Sequence, residues 1–160
     1  IMTPLNNHWV IWYHDNNNDW TINGYKKIYN IKTIEDFWEI YQRLNNYILL
    51  KGQFFLMKEN VEPIWENKDN IDGGCWSYKI NKTDSYISWM YLSMNICGEI
   101  LTKDHSNMNS INGISFSPKK NFCIIKIWNN DRTNTENILV DKINNINLSL
   151  CLYKANKERH

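Results

Sequence analysis

Seven short runs with strand character are strung along this chain, and only three segments carry a helical period. The runs are His8 to Tyr13, Tyr25 to Tyr29, Phe54 to Met57, Cys75 to Ile80, Gly113 to Ser117, Phe122 to Trp128 and Leu148 to Tyr153. Several alternate, as Ile114 and Phe116 do against Ser115 and Ser117, which suits a sheet with one covered face. The first helical segment opens with Thr33 and Asp36 in a capping-box arrangement, and Ile34, Phe37, Trp38, Tyr41 and Leu44 follow at helical spacing. A second runs from near Asp84 through Tyr86, Trp89, Met90 and Met94 to Gly98, read as its C′ residue. A third begins at Asn134 or Thr135 and carries Ile138, Leu139 and Ile143. Many strands without a regular β-α-β rhythm predict an α+β fold. The expected architecture is a curved antiparallel sheet with about three helices on its convex face.

The 160 residues carry no internal repeat or Pro-rich linker, so residues 1–160 are expected to form a single domain. Lys+Arg 18 against Asp+Glu 17 leaves a formal net charge of +1. Generic binding to duplex nucleic acid needs a large basic excess, so a polyanion would have to be met by a local basic pocket. No apolar run approaches the roughly 18–20 residues of a membrane span, and no leader pattern opens the chain, which reads as soluble and intracellular. Cys75, Cys97, Cys123 and Cys151 are spread singly and read as reduced, small apolar residues. The four histidines show no metal-ligand spacing, and neither a metal nor a cofactor is expected. About a sixth of the residues are Asn. With the Ile and Lys excess this is the mark of an AT-rich genome, and runs such as Asn16-Asn17-Asn18 and Asn129-Asn130-Asp131 read as loop tips.

Eight tryptophans in so short a chain need a use. Most tryptophans anchor cores or interfaces. Trp20 and Trp65 differ, because Trp20 follows an Asn/Asp loop and Trp65 sits between Pro63 and the polar stretch Glu66-Asn67-Lys68-Asp69. A large apolar ring on an exposed polar loop is costly unless it meets a ligand. Two loop indoles with an adjacent carboxylate suit a flat, cationic, hydrogen-bonding ring.

The segment Val61-Glu62-Pro63-Ile64-Trp65-Glu66, followed by Gly73-Gly74-Cys75-Trp76, resembles the signature of the translation initiation factor 4E family, the messenger RNA 5′ cap-binding proteins. His8-Trp9-Val10-Ile11-Trp12 is similar to that family's first strand and Ile34-Glu35-Asp36-Phe37-Trp38 to its first helix. Trp9, Trp12, Trp20, Trp38, Trp65, Trp76, Trp89 and Trp128 each fall on a family tryptophan position, and the resemblance runs from about Pro4 to Tyr153. It implies that Trp20 and Trp65 sandwich a 7-methylguanine ring, that Glu66 accepts from its N1–H and N2–H edge, and that Trp128 lines the pocket near the methyl group. It places Lys119 on a position that binds the triphosphate bridge, with Lys120 adjacent. Two further basic positions are lost, to Ile124 and Cys75, which leaves Lys126 and Lys157 as replacements. The convex face of the family binds a helical peptide of a scaffold or repressor protein. Its matching positions here are Pro4, Leu5, Ile34, Trp38, Met90 and Met94, while Tyr91 replaces the usual acidic residue.

The resulting expectation is a monomeric, cytoplasmic, non-enzymatic module that captures capped mRNA for translation initiation, from a divergent protist or large DNA virus source. The lost charges keep open a binder of an additionally methylated cap, a cap-binding decoy or repressor, and a protein–protein scaffold without cap binding. No nucleophile–base pair, phosphate-cradling Gly-Lys loop or metal cluster supports an enzyme.

Overall fold

A computed structural model describes residues 2–134, 139–140, 143, 146 and 151–159. Its frame is one open antiparallel sheet of seven strands: β1 (Pro4–His14), β2 (Lys26–Thr33), β3 (Gln53–Lys58), β4 (Gly74–Ile80), β5 (Ile111–Pro118), β6 (Cys123–Asn129) and β7 (Leu152–Ala155). The strand order is β2-β1-β3-β5-β6-β4-β7. Among the described residues four α-helices accompany it, α1 (Ile34–Tyr41), α2 (Asn46–Leu49), α3 (Ser85–Cys97) and α4 (Asn156–Arg159). Among the described residues no helix is long and apolar enough to cross a membrane.

The period-2 alternation of the strands sorts their side chains into two clusters. Trp9, Ile11, Phe54, Leu56, Trp76, Tyr78, Ile125 and Ile127 join Phe37 and Tyr41 of α1 and Trp89, Leu92 and Ile96 of α3 in the main core. Their strand neighbours Val10, Trp12, Phe55, Met57, Cys75 and Trp128 form a smaller cluster on the opposite sheet face. Helices cover the first face because its side chains are uniformly apolar. The second face is only patched with apolar residues and is left for loops and a cavity.

The expected capping box is present: Thr33 Oγ1 accepts from the Asp36 N–H, and the Asp36 carboxylate accepts from the Thr33 N–H. Only part of the apolar stripe on α1 turns inward. Phe37 and Tyr41 are buried, whereas Ile34 and Trp38 stand 41% and 44% exposed. The helix stops at Tyr41 rather than continuing to Leu44.

Several expectations are corrected. Gly98 is not the left-handed residue that ends α3; its φ is −82°, and Glu99 takes the positive φ of 58° instead. Ile100 N–H donates to Asn95 O (2.8 Å) and Glu99 N–H to Ile96 O (3.0 Å), a Schellman closure with Glu99 at C′. The Glu99 carboxylate accepts from Asn7 Nδ2, which ties this strained residue to β1. Of the third helix, residues 135–138, 141–142 and 144–145 lie outside the described residues. Leu139 forms an isolated bridge with Thr102, and Ile143 one with Ile146, so neither is helical. Of the last expected strand, Leu152–Ala155 is described as β7, and residues 147–150 lie outside the described set. Asn129 is no loop tip: fully buried, its Oδ1 accepts from Gly74 N–H and from the Tyr153 hydroxyl. All four cysteines are free thiols.

Candidate functional site

The loop between β1 and β2 that carries Trp20 is a staircase of short side-chain-to-backbone bonds. Asp15 accepts from Asn17 N–H, Asn17 from Asp19 N–H, and Asp19 from Thr21 N–H, at 3.0, 2.7 and 2.9 Å. Asn and Asp favour such turns because their short side chains reach the backbone two residues on. Asp19 is held below the ordinary carboxylate range by the Thr21 hydroxyl and then the Thr21 N–H. Gly24 closes the loop: a Cβ there would lie 1.8 Å from Asp19 O, so only glycine permits this approach. Trp20, 47% exposed, is pinned by stacking on His14 at 3.8 Å and 7°.

The second loop, between β3 and β4, carries Trp65 and Glu66 and is held by buried asparagines. Asn70 Nδ2 donates to Glu62 O and Ile64 O, both at 2.9 Å. Asn112 of β5 donates to Asn70 Oδ1 and Asp69 O at 2.8 Å, and Asn156 of α4 donates to Asn70 O at 2.8 Å. These asparagines are between 0% and 3% exposed. Buried amides with satisfied partners impose one geometry, because any other arrangement strands a polar group.

Between the two loops, on the sheet face opposite α1 and α3, lies a cavity of about 260 Å³. Trp20, Trp65 and Glu66 line it from the loops; Phe55, Cys75 and Trp128 form its apolar floor. Ser115, Ser117, Lys126 and Asn156 add polar lining. Trp128 is fixed by its Nε1–H donating to Ser115 Oγ at 3.1 Å. Tyr25, also lining the cavity, has its phenol pushed up to about 12 by burial and then by the Glu66 and Asp19 carboxylates, so it stays a neutral donor. The cavity thus offers indole faces, one carboxylate and one lysine.

The structure therefore gathers Trp20, Trp65, Glu66, Trp128 and Lys126 around one space. Lys119, Lys120 and Lys157 are not among the lining residues. Lys119 and Lys120 are exposed beyond the end of β5, and Lys157 pairs with Asp72 at 2.5 Å. Asn156, its neighbour, takes the place at the cavity wall. Lys154 escaped the sequence reading. It sits opposite Cys75 in the β4–β7 register, on the cavity face, while Tyr153 turns to Trp76 in the core. Strand alternation predicts its face, but no sequence signal predicts its neighbour. His14, Tyr25, Asn70 and Asn112 were missed too, the asparagines because composition masked them.

On the helical face, Thr3 O accepts from Ile34 N–H and Pro4 pairs with Thr33, which places the chain start beside α1. Leu5, Met90 and Met94 are partly buried against the core, and Tyr41 of α1 bonds Ser93 of α3. Exposed Ile34 and Trp38 thus stand over a firmly tied helix pair.

Comparison with known proteins gives a consistent picture. The family model described as Eukaryotic initiation factor 4E matches residues 4–158. The chain is 33% identical over 140 residues to eukaryotic translation initiation factor 4E1 of Drosophila melanogaster, covering 83% of this chain and 52% of that protein. It spans about half to two thirds of the length of the curated relatives it matches. Among solved structures it is similar to Ascaris suum eIF4E-3, with TM-score 0.74 and 27% identity, covering 84% of this chain and 77% of that one. That protein was solved in complex with an m7G cap and with an m2,2,7G cap. It is also similar to C. elegans eIF4E-3 in complex with the 4E-binding protein Mextli, with TM-score 0.73 and 25% identity, covering 83% and 78% of the two chains.

Proposed function

The chain belongs to the eukaryotic initiation factor 4E family, and from that premise we propose that residues 1–160 act as one cap-binding domain. The domain captures the 7-methylguanosine 5′ cap of mRNA for translation initiation and catalyses no reaction. The observation that carries this reading is the convergence of Trp20, Trp65 and Glu66 on one cavity floored by Trp128. Methylation at N7 makes the purine cationic, and stacking it between indole faces adds about 2 kcal/mol when desolvated. Glu66 accepts from the two adjacent N–H donors of the guanine edge, a charge-assisted pairing. Lys126, and Lys154 from the neighbouring edge strand, meet the phosphate bridge on the side where Cys75 and Ile124 carry no charge. Lys119, Lys120 and Lys157 lie further out and are left to the nucleotides that follow.

On the opposite face, Pro4, Leu5, Ile34, Trp38, Met90 and Met94 receive a helical peptide, with Trp38 as the anchoring ring. C. elegans eIF4E-3 in complex with Mextli supports a partner-binding role. Tyr91 in place of a carboxylate shifts its specificity away from basic partner side chains. The domain acts as a cytoplasmic monomer.

Calorimetric titration with 7-methyl-GTP and GTP tests the main reading. Selective binding of the methylated nucleotide, lost in Glu66→Gln and Trp65→Ala, is the expected result. Equal affinity for both nucleotides refutes it. A second reading, acceptance of additionally methylated caps, is favoured by the exposure of Glu66, which leaves room beside the N2 edge. Comparable affinity for the m7G and m2,2,7G caps is its signature.

A further inference from the structure

Trp20 is backed by a ring that the cap-binding reading does not use. His14, the last residue of β1, is fully buried and lies parallel to the indole at 3.8 Å, yet it does not line the cavity. It therefore covers one face of Trp20 and leaves the other to the ligand. Its tautomer is set by its partners. Nδ1 accepts from Asn16 N–H at 2.9 Å and so carries no hydrogen, which leaves Nε2–H to donate to Asp19 O at 2.9 Å. Both partners belong to the loop that carries Trp20, so one neutral imidazole ties that loop at two points and supports the indole at a third.

We propose that His14 is a titratable third layer of the cap-binding stack, holding Trp20 in its binding plane when neutral and weakening capture of cationic 7-methylguanine when protonated. The proposal rests on the cap-binding reading. Two effects act in the same direction. A proton on Nδ1 faces the Asn16 N–H, so an accepted bond becomes an opposition of two donors and the loop must shift. A cation stacked beneath the indole also draws on the π density that a cationic ligand needs on the other face. Histidine is the side chain whose ordinary ionisation falls near physiological pH.

Among the described residues the charged surroundings are few. From the loop, the Asp15 and Asp19 carboxylates face His14, each engaged in its own turn. Lys26 of β2 acts on Asp15. Tyr25 meets the imidazole edge at 4.7 Å and stays neutral throughout the acid range. From β3, the residue in register with His14 is the neutral Gln53. The ring itself is fully buried. A cationic ligand on the far face of Trp20 opposes its protonation.

The test is the affinity for 7-methyl-GTP, measured by calorimetry between pH 7.5 and 5.5, for the wild type, His14→Phe and His14→Gln. The Phe variant keeps a flat ring without a titrating proton, and the Gln variant keeps a donor and an acceptor without a charge. Ionisation of the ligand and of Glu66 is common to all three. The wild type is expected to lose about threefold to tenfold more affinity on acidification than either variant. Parallel profiles overturn the proposal, while absence of binding by the wild type at pH 7.5 refutes the cap-binding reading instead. Should both variants misfold, imidazole NMR of the wild type decides. Saturating 7-methyl-GTP must move protonation of His14 to lower pH, and an unmoved titration overturns the proposal.

Discussion

Replacing Asn70 with alanine isolates the device that positions Trp65 and Glu66. The side chain donates to Glu62 O and Ile64 O and accepts from Asn112 Nδ2, and it is fully buried. At about 1 kcal/mol net for each intramolecular hydrogen bond, the three together are worth about 3 kcal/mol. Two carbonyls and one amide donor are left unpaired, although Asn112 keeps its bond to Asp69 O at 2.8 Å. A loss of about 2–4 kcal/mol is expected, a large part of the 5–15 kcal/mol of an ordinary domain but short of unfolding it. Asn70→Asp serves as the isosteric control. It keeps the shape and the bond from Asn112, opens no cavity, and sets a carboxylate against two carbonyl oxygens. Urea unfolding followed by tryptophan fluorescence reads the stability, and titration with 7-methyl-GTP reads the loop. Both variants should unfold at lower urea with an unchanged slope, and both should bind the cap analogue more weakly. An unchanged midpoint and affinity in both would show that the asparagine network does not position the loop.

Three other outcomes follow from the same geometry. Lys126→Ala and Lys154→Ala should each reduce the slope of log affinity for 7-methyl-GTP against log salt by about one, and the double variant by about two, measured over a salt series. Gly24→Ala forces the chain off Asp19 O, where its Cβ would lie at 1.8 Å. It should weaken cap-analogue binding at least as much as it lowers the thermal midpoint, because the displaced loop carries Trp20. Asp15 and Asp19 are both held below the ordinary carboxylate value by bonds within their turns, from Asn17 and Thr21 respectively. Their contribution is present above the unfolded carboxylate value and is lost as pH falls through the lowered folded values. Amide protection factors in residues 15–21, corrected for the intrinsic exchange rate, should therefore fall below about pH 4 before those of the sheet do; simultaneous loss in loop and sheet would contradict this.

Much of the molecule was legible in the chain alone. Alternation in Trp9-Val10-Ile11-Trp12 and in Phe54-Phe55-Leu56-Met57 assigns side chains to opposite sheet faces because a strand has period 2. Thr33 and Asp36 start α1 because a helix leaves its first N–H groups unpaired and those two side chains can accept from them. Trp20 and Trp65 stand out because large rings on polar loops need a reason. All of these are local properties, written in spacing and side-chain chemistry. The strand order β2-β1-β3-β5-β6-β4-β7 was not, since antiparallel partners distant in sequence are chosen by how the whole apolar face closes. Neither was the left-handed turn at Glu99, where glycine stood one residue earlier and the tie to Asn7 comes from β1. The asparagines divide most sharply. By composition they were indistinguishable, yet tertiary packing takes Asn70, Asn112, Asn129 and Asn156 out of water, where each amide must find its partners. His14 and Lys154 belong with them: one lies under Trp20 and the other beside Cys75 only because loop closure and strand register bring distant residues into contact.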